Sequence, residues 1–205
     1  MNVSLASLIV SAPIFLFAMT IHEVAHGWVA YKLGDPTAKF SGRLTLNPFS
    51  HIDPIGTILL PITLILMGFP AFGWAKPVPV NFMGLRNPKK DIMWVGAAGP
   101  LANLIFAFIQ IAVFRFFPVV HTSLLGELLA TSILINLILA VFNLIPIPPL
   151  DGSRILFSLL PPRLAMRYMS IEPFGIIIVI VLVWFGFLDW FVIPLVAFLE
   201  KIMGI

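Results

Sequence analysis

Residues 5–33, LASLIVSAPIFLFAMTIHEVAHGWVAYKL, decide the fold class. An apolar run of about 20 residues is long enough to cross the hydrocarbon core of a bilayer. A secretory leader would open on basic residues, yet no Lys or Arg precedes Lys32, and the run leads straight into a polar cluster. The reading is a first transmembrane helix over about Leu5–Leu33, ended by Gly34, Asp35 and Pro36. At 1.5 Å per residue, His22 lies roughly 26 Å along it from Leu5, close to the far side of a roughly 30 Å core.

Working outward, further uncharged stretches cover Pro54–Ala75, Ile92–Phe114, Leu128–Leu150 and Pro173–Leu188. The 205 residues are 60% hydrophobic and 10% charged, with mean hydropathy +1.07. Soluble domains are about a quarter charged, so a soluble enzyme is excluded. The expected architecture is an all-α polytopic membrane protein, a single domain over residues 1–205. About four full transmembrane helices are expected, plus a re-entrant or broken element with a short β-hairpin-like segment. No room is left for an appended soluble module. The helices are expected over about Leu5–Leu33, Ile92–Phe114, Leu124–Ile145 and Pro173–Leu199, with Gly152–Ile171 lying at the interface. Ile55–Gly73, punctuated by Pro61, Gly68, Pro70 and Gly73, is the broken element, and Lys76–Val80 reads as a short extended strand. Cysteine is absent, which excludes disulfides, thiolate zinc sites and a cysteine nucleophile together. The net charge of +3 is no signal for nucleic acid.

His22-Glu23-Val24-Ala25-His26 carries the chemistry. Residues four apart on a helix differ by about 40° around the axis and 6 Å along it, so both imidazoles face one way and can share one ion. Glu23 lies between them, where a carboxylate can take a proton from water on the metal. A hydrolytic zinc wants three protein ligands and one open position, so a third ligand must come from elsewhere. The candidates near apolar spans are His51, Asp53, Asp91, His121, Glu127, Asp151, Glu172 and Asp189. Asp151 stands out because it follows Asn143-Leu144-Ile145-Pro146-Ile147-Pro148-Pro149-Leu150, where three prolines in four positions must break the preceding helix. It either completes the site or caps a short helix beginning at Gly152, and the two roles are compatible.

These residues resemble the site-2 protease family of intramembrane zinc metalloproteases. The similarity extends to Ala97-Ala98-Gly99-Pro100-Leu101-Ala102-Asn103, to the Asn143–Gly152 segment, and to the tracts Asn47–Pro54 and Gly73–Asn81. These tracts are similar to those of the short prokaryotic branch without PDZ or CBS domains. The resemblance implies one Zn2+ per chain held by His22, His26 and Asp151, with Glu23 as catalytic acid and base. It casts Asn143 as a substrate or oxyanion contact, beside a reading in which Asn143 satisfies carbonyls freed by Pro146 and Pro148. The implied activity is endoproteolysis of membrane-spanning protein substrates in the bilayer of a prokaryotic cytoplasmic membrane. The competing reading is a zinc-binding membrane transporter or scaffold without hydrolytic activity.

One ion needs its ligands at one depth, so the first helix and the helix before Asp151 must cross in the same direction. An odd number of crossings then separates them, which makes Ile55–Gly73 the element that returns. On that arrangement Lys32, Lys39, Arg43, Lys76, Arg86, Lys89, Lys90, Arg154, Arg163 and Arg167 share one side, against Arg115 and Lys201 on the other: ten against two. If every segment crossed, the split would be seven against five. The positive-inside bias favours the first arrangement, with the site toward the cytoplasmic face.

The remaining polar residues admit local readings. His51 with Asp53 is a second site, a substrate contact or a cap on the Pro54 turn. His121 is a solvated loop residue. Asn103 and Gln110 either line the cavity or hydrogen-bond between helices. Trp28, Trp74, Trp94, Trp184 and Trp190 suit interfacial belts, and Arg163 and Arg167 suit lipid headgroups.

Overall fold

The computed structural model describes residues 5–68, 73–117 and 123–204. Long helices dominate: α1 Leu5–Lys32, α4 Pro88–Phe116 and α5 Leu124–Asn143. Between α1 and α4 lie α2 Thr37–Phe40 and α3 Leu60–Leu66, the latter entered through a π-helical turn at Pro54–Leu59. After α5 come α6 Asp151–Leu159, α7 Pro162–Met169, α8 Gly175–Trp184 and α9 Ile193–Met203. Three helical stretches among the described residues, Pro88–Phe116, Leu124–Asn143 and Pro162–Trp184, are long and apolar enough to cross a membrane.

Hydrogen bonds give the helix directions. His22 and His26 of α1 meet Asn103 and Val95 of α4 respectively, so these two helices run oppositely. Asn136 and Ser132 of α5 meet Asn103 and Gln110 of α4, so α5 also opposes α4. α1 and α5 therefore run the same way, as a shared ion requires. The two ends of the expected broken element lie together, because Trp74 N donates to Gly56 O at 3.1 Å and Thr57 Oγ1 donates to Trp74 O at 2.8 Å. A Cβ on Gly56 would collide with the Trp74 indole, so only glycine admits this close return. Pro70, one of its expected punctuation points, and His121 lie outside the described residues.

Two expectations need correction. Lys76–Val80 does not pair as a strand, and no strand occurs among the described residues. Pro77 and Pro79 remove alternate donors, so a ladder has too little to hold it. Two of the remaining amides find separate acceptors, Lys76 N on His51 O at 2.9 Å and Val78 N on the Glu23 carboxylate at 2.7 Å. Nor is the last helix continuous over Pro173–Leu199. It breaks between α8 and α9 at Gly186, whose φ of +79° is incompatible with a right-handed helix. After the break the chain turns back onto α5, burying Val192 and Val196 against Leu137, Val141, Ala107 and Ile111. Burying each such side chain contributes roughly 1.5–3 kcal/mol in water, and in lipid the gain comes from close packing instead.

Four of the five tryptophans, Trp28, Trp94, Trp184 and Trp190, are exposed on the outer surface, as a belt requires. Trp74 is the exception: it packs on Gly56 and helps wall the central cavity.

Candidate metal centre

α1 brings His22 and His26 to one side, as the 3.6-residue repeat demands, and both are buried. α6 begins with Asp151 immediately after the proline-broken turn, and its carboxylate reaches back to both rings. Asp151 Oδ2 lies 2.9 Å from His22 Nε2 and 3.2 Å from His26 Nε2. Asp151 is the first residue of α6 rather than its cap, and the cap position is Leu150.

The ring nitrogens facing away from this point are engaged. His22 Nδ1 is 2.6 Å from Asn103 Oδ1, and His26 Nδ1 is 2.6 Å from Val95 O. Both partners are oxygen acceptors, so each neutral ring spends its one proton at Nδ1. The two Nε2 atoms and the carboxylate then present lone pairs to one another, an arrangement that a metal ion between them satisfies, as does a proton carried on an imidazole. Ligand atoms of the three residues lie within 4.8 Å of one another. Tetrahedral zinc with bonds of about 2.0–2.2 Å separates its ligands by about 3.3 Å, close to the spacing seen. Outer partners that fix ring and tautomer are what metal-binding histidines require. The donor set therefore fits a zinc ion.

Glycines make the room. A Cβ on Gly99 of α4 would sit 2.5 Å from His22 Nε2 and closer still to His26 Nε2. A Cβ on Gly96 would sit 2.8 Å from Arg154 Cβ and 3.0 Å from Asp151 O. Side chains at these two positions would push α1 and α6 off α4.

The other candidate ligands are occupied elsewhere. His51 is fully buried and its Nε2 donates to Thr45 O at 2.9 Å. Asp53 alone caps the Pro54 turn, accepting from Ile55 N at 3.0 Å and Gly56 N at 2.7 Å, so the expected His51–Asp53 capping pair separates. Asp91 accepts from Asn87 N at 2.8 Å at the start of α4. Glu172 forms an ion pair with Arg154, while Glu127 and Asp189 are exposed.

Glu23 and Asn143 both line a cavity of about 700 Å³ in front of the three ligand residues. Phe15, Met19, Ile138 and Phe142 form its apolar wall. Glu23 Oε2 accepts the Val78 amide at 2.7 Å, which brings the Gly73–Asn81 segment over the site. Arg43 holds that segment by donating to Lys76 O at 2.8 Å, and Asp35 accepts Asn81 N at 2.7 Å. Asn143 Nδ2 donates to Leu139 O at 2.9 Å, one turn back in its own helix. That carbonyl is not one freed by Pro146 or Pro148.

Sequence reading missed the Val78 amide and the Val95 carbonyl, which are backbone groups that carry no residue-type signal. It also missed Asn136 and Ser132. Their four-residue spacing in an otherwise apolar helix was the available sign.

Comparison with known proteins follows the same lines. The model of Peptidase family M50 matches residues 118–186. YwhC of Bacillus subtilis is 42% identical over 177 residues, covering 82% of this chain and 76% of the relative. Rip2 of Mycolicibacterium smegmatis is 32% identical over 176 residues, covering 82% of this chain and 64% of the relative. Zinc metalloprotease MJ0392 of Methanocaldococcus jannaschii is 30% identical over 151 residues, covering 73% of this chain and 34% of the relative. The words zinc metalloprotease stand in all three names. The chain thus spans about three quarters of YwhC and just under two thirds of Rip2. No solved structure matches. An identity of 42% sustained over most of both chains places this protein in peptidase family M50, the site-2 proteases.

Proposed function

We propose that the protein is a zinc-dependent endopeptidase that hydrolyses peptide bonds of membrane-spanning proteins within or at the edge of the bilayer. The observation that carries this reading is the convergence of His22 Nε2, His26 Nε2 and the Asp151 carboxylate, with both Nδ1 atoms engaged behind them. His22, His26 and Asp151 would hold one zinc ion. When bound, the ion supplies a Lewis acid that polarises the scissile carbonyl and acidifies water. Glu23 takes the proton of the attacking water on its carboxylate and later delivers it to the leaving amine. Asn143, at the cavity wall, presents its amide to the substrate backbone. The apolar wall of Phe15, Met19, Ile138 and Phe142 excludes bulk water and suits a substrate drawn from lipid.

The finer topology belongs to the same reading. α1 is the fourth crossing beside the three long apolar stretches, and residues 1–205 form one unit. The return of the chain from Gly56 to Trp74 supports the arrangement with ten cations on one side. That side is cytoplasmic in a prokaryotic cytoplasmic membrane, and the zinc lies toward it. The transporter reading is not favoured. A cation path to the other face needs buried carboxylates, whereas the buried polar groups beyond the site on α4 and α5 are the neutral Asn103, Gln110, Ser132 and Asn136, and Glu127 at the start of α5 is exposed.

The test is purification in detergent with metal analysis, then incubation of wild type and Glu23→Gln with a panel of single-span membrane proteins. Wild type should carry zinc and cleave, and Glu23→Gln should carry zinc without cleaving. Full activity in Glu23→Gln would remove the acid and base role.

A further inference from the structure

A chain of buried neutral side chains runs from the back of His22 into the α4–α5 interface. Asn103 and Asn136 are both 0% exposed, with Ser132 and Gln110 buried behind them. Two backbone carbonyls fix the sense of the bonds that join His22, Asn103 and Asn136. Asn103 Nδ2 lies 3.1 Å from Ala18 O, and a carbonyl only accepts, so the amide nitrogen is on that side and Oδ1 faces His22. Asn136 Nδ2 lies 2.8 Å from Ser132 O, so its nitrogen is also placed, and its Oδ1 accepts the second Asn103 N–H at 2.7 Å. Gln110 Nε2 donates to Ser132 Oγ at 2.8 Å and closes the chain.

We infer that Asn136 is a positioning residue for the metal centre, holding Asn103 so that His22 keeps its proton on Nδ1 and its lone pair on Nε2. The inference rests on the proposed role of His22 as a zinc ligand. Turned over, the Asn103 amide would offer N–H to His22 Nδ1, and the ring would then carry its proton on Nε2, where it cannot bind a metal. Ala18 O is the first guard against that turn, because turning Asn103 would set its Oδ1 against that carbonyl oxygen. The Asn136 carbonyl is the second guard: in a dry interface, turning Asn103 would set two oxygens against each other and strand the amide protons. A polar pair that merely joined α4 to α5 would need no fixed sense. This pair has one, and it ends on a metal-site imidazole.

The experiment uses the full chain in detergent and measures zinc affinity by competition with a chromophoric chelator. The variants are Asn136→Leu, Asn136→Asp, Asn103→Leu and the double leucine variant. Asn136→Leu should weaken zinc about 10-fold, the low end for a partner behind a ligand. Asn136→Asp should stay within about 2-fold, because a neutral buried carboxylic acid offers the same carbonyl to Asn103 and a hydroxyl to Ser132 O. The double variant should bind no more weakly than Asn103→Leu alone, since Asn136 acts only through Asn103. Wild-type affinity in Asn136→Leu, or an equal further loss in the Asn103→Leu background, would overturn the inference. If Asn136→Leu does not fold, Asn136→Ala carries the same expectation and the same refutation. A wild type that binds no zinc sinks the reading of the site itself, which is a distinct result.

Discussion

Gly99→Ala offers a severe test of the metal centre, because the substitution adds one methyl group and no charge. That methyl would sit 2.5 Å from His22 Nε2, and an ordinary contact begins at 3.4 Å, so the ring must move by about 0.9 Å. His26 Nε2, nearer still, must move with it. Overpacking of this kind costs about 1–3 kcal/mol in fold stability, which a folded protein can survive. The metal site is less tolerant: ligand distances must hold to about 0.2 Å, and a misplacement of about 1 Å at a reacting centre costs on the order of 10²-fold. The expected outcome is a protein that folds and inserts but binds zinc at least about 10-fold more weakly and cleaves on the order of 10²-fold more slowly. Chelator competition gives the first number and cleavage of a single-span substrate the second. Gly84→Ala, where the new methyl meets its nearest neighbour at 3.4 Å, serves as the unaffected control. Wild-type zinc affinity in Gly99→Ala would mean that the imidazoles do not converge in front of α4 as described, and the site would have to be rebuilt.

Two further outcomes follow from the same geometry. Val78→Pro deletes the amide that holds Glu23 Oε2 while leaving the three metal ligands untouched, so zinc content should persist and kcat should fall about 10-fold, the cost of a lost charge-assisted hydrogen bond of about 1.5 kcal/mol; unchanged turnover would remove any role for this contact. On the proposed site the ion would join α1 to α6, so stripping zinc with a chelator should lower the thermal midpoint, the stabilisation lost being about 2.7 kcal/mol when free zinc had been 100 times its Kd; identical midpoints with and without the chelator would count against a shared site.

Much of the outcome follows from local chemistry and is legible in the residues themselves. The spacing of His22 and His26 puts two imidazoles on one face, because a helical turn is a property of neighbouring residues alone. Long runs without charge force helices into lipid, since an unpaired backbone there has no water to turn to. Prolines from Pro146 to Pro149 end a helix wherever they occur. The tertiary structure decided what depends on which distant groups meet. Of the seven candidate third ligands among the described residues, only Asp151 reaches the imidazoles, because α1 and α5 run in parallel and α6 turns back toward α4 over Gly96. Whether Lys76–Val80 paired as a strand turned on its acceptors, and these proved to be His51 O and the Glu23 carboxylate rather than another strand. The break at Gly186 arises because the chain returns to pack Val192 and Val196 on α5, a contact that hydropathy along a single segment does not encode. The sense of the Asn103 amide, and with it the tautomer of His22, exists only where α1, α4 and α5 meet, since Asn103 stands on α4 while its partners, His22 and Ala18 O on α1 and Asn136 on α5, come from the two other helices.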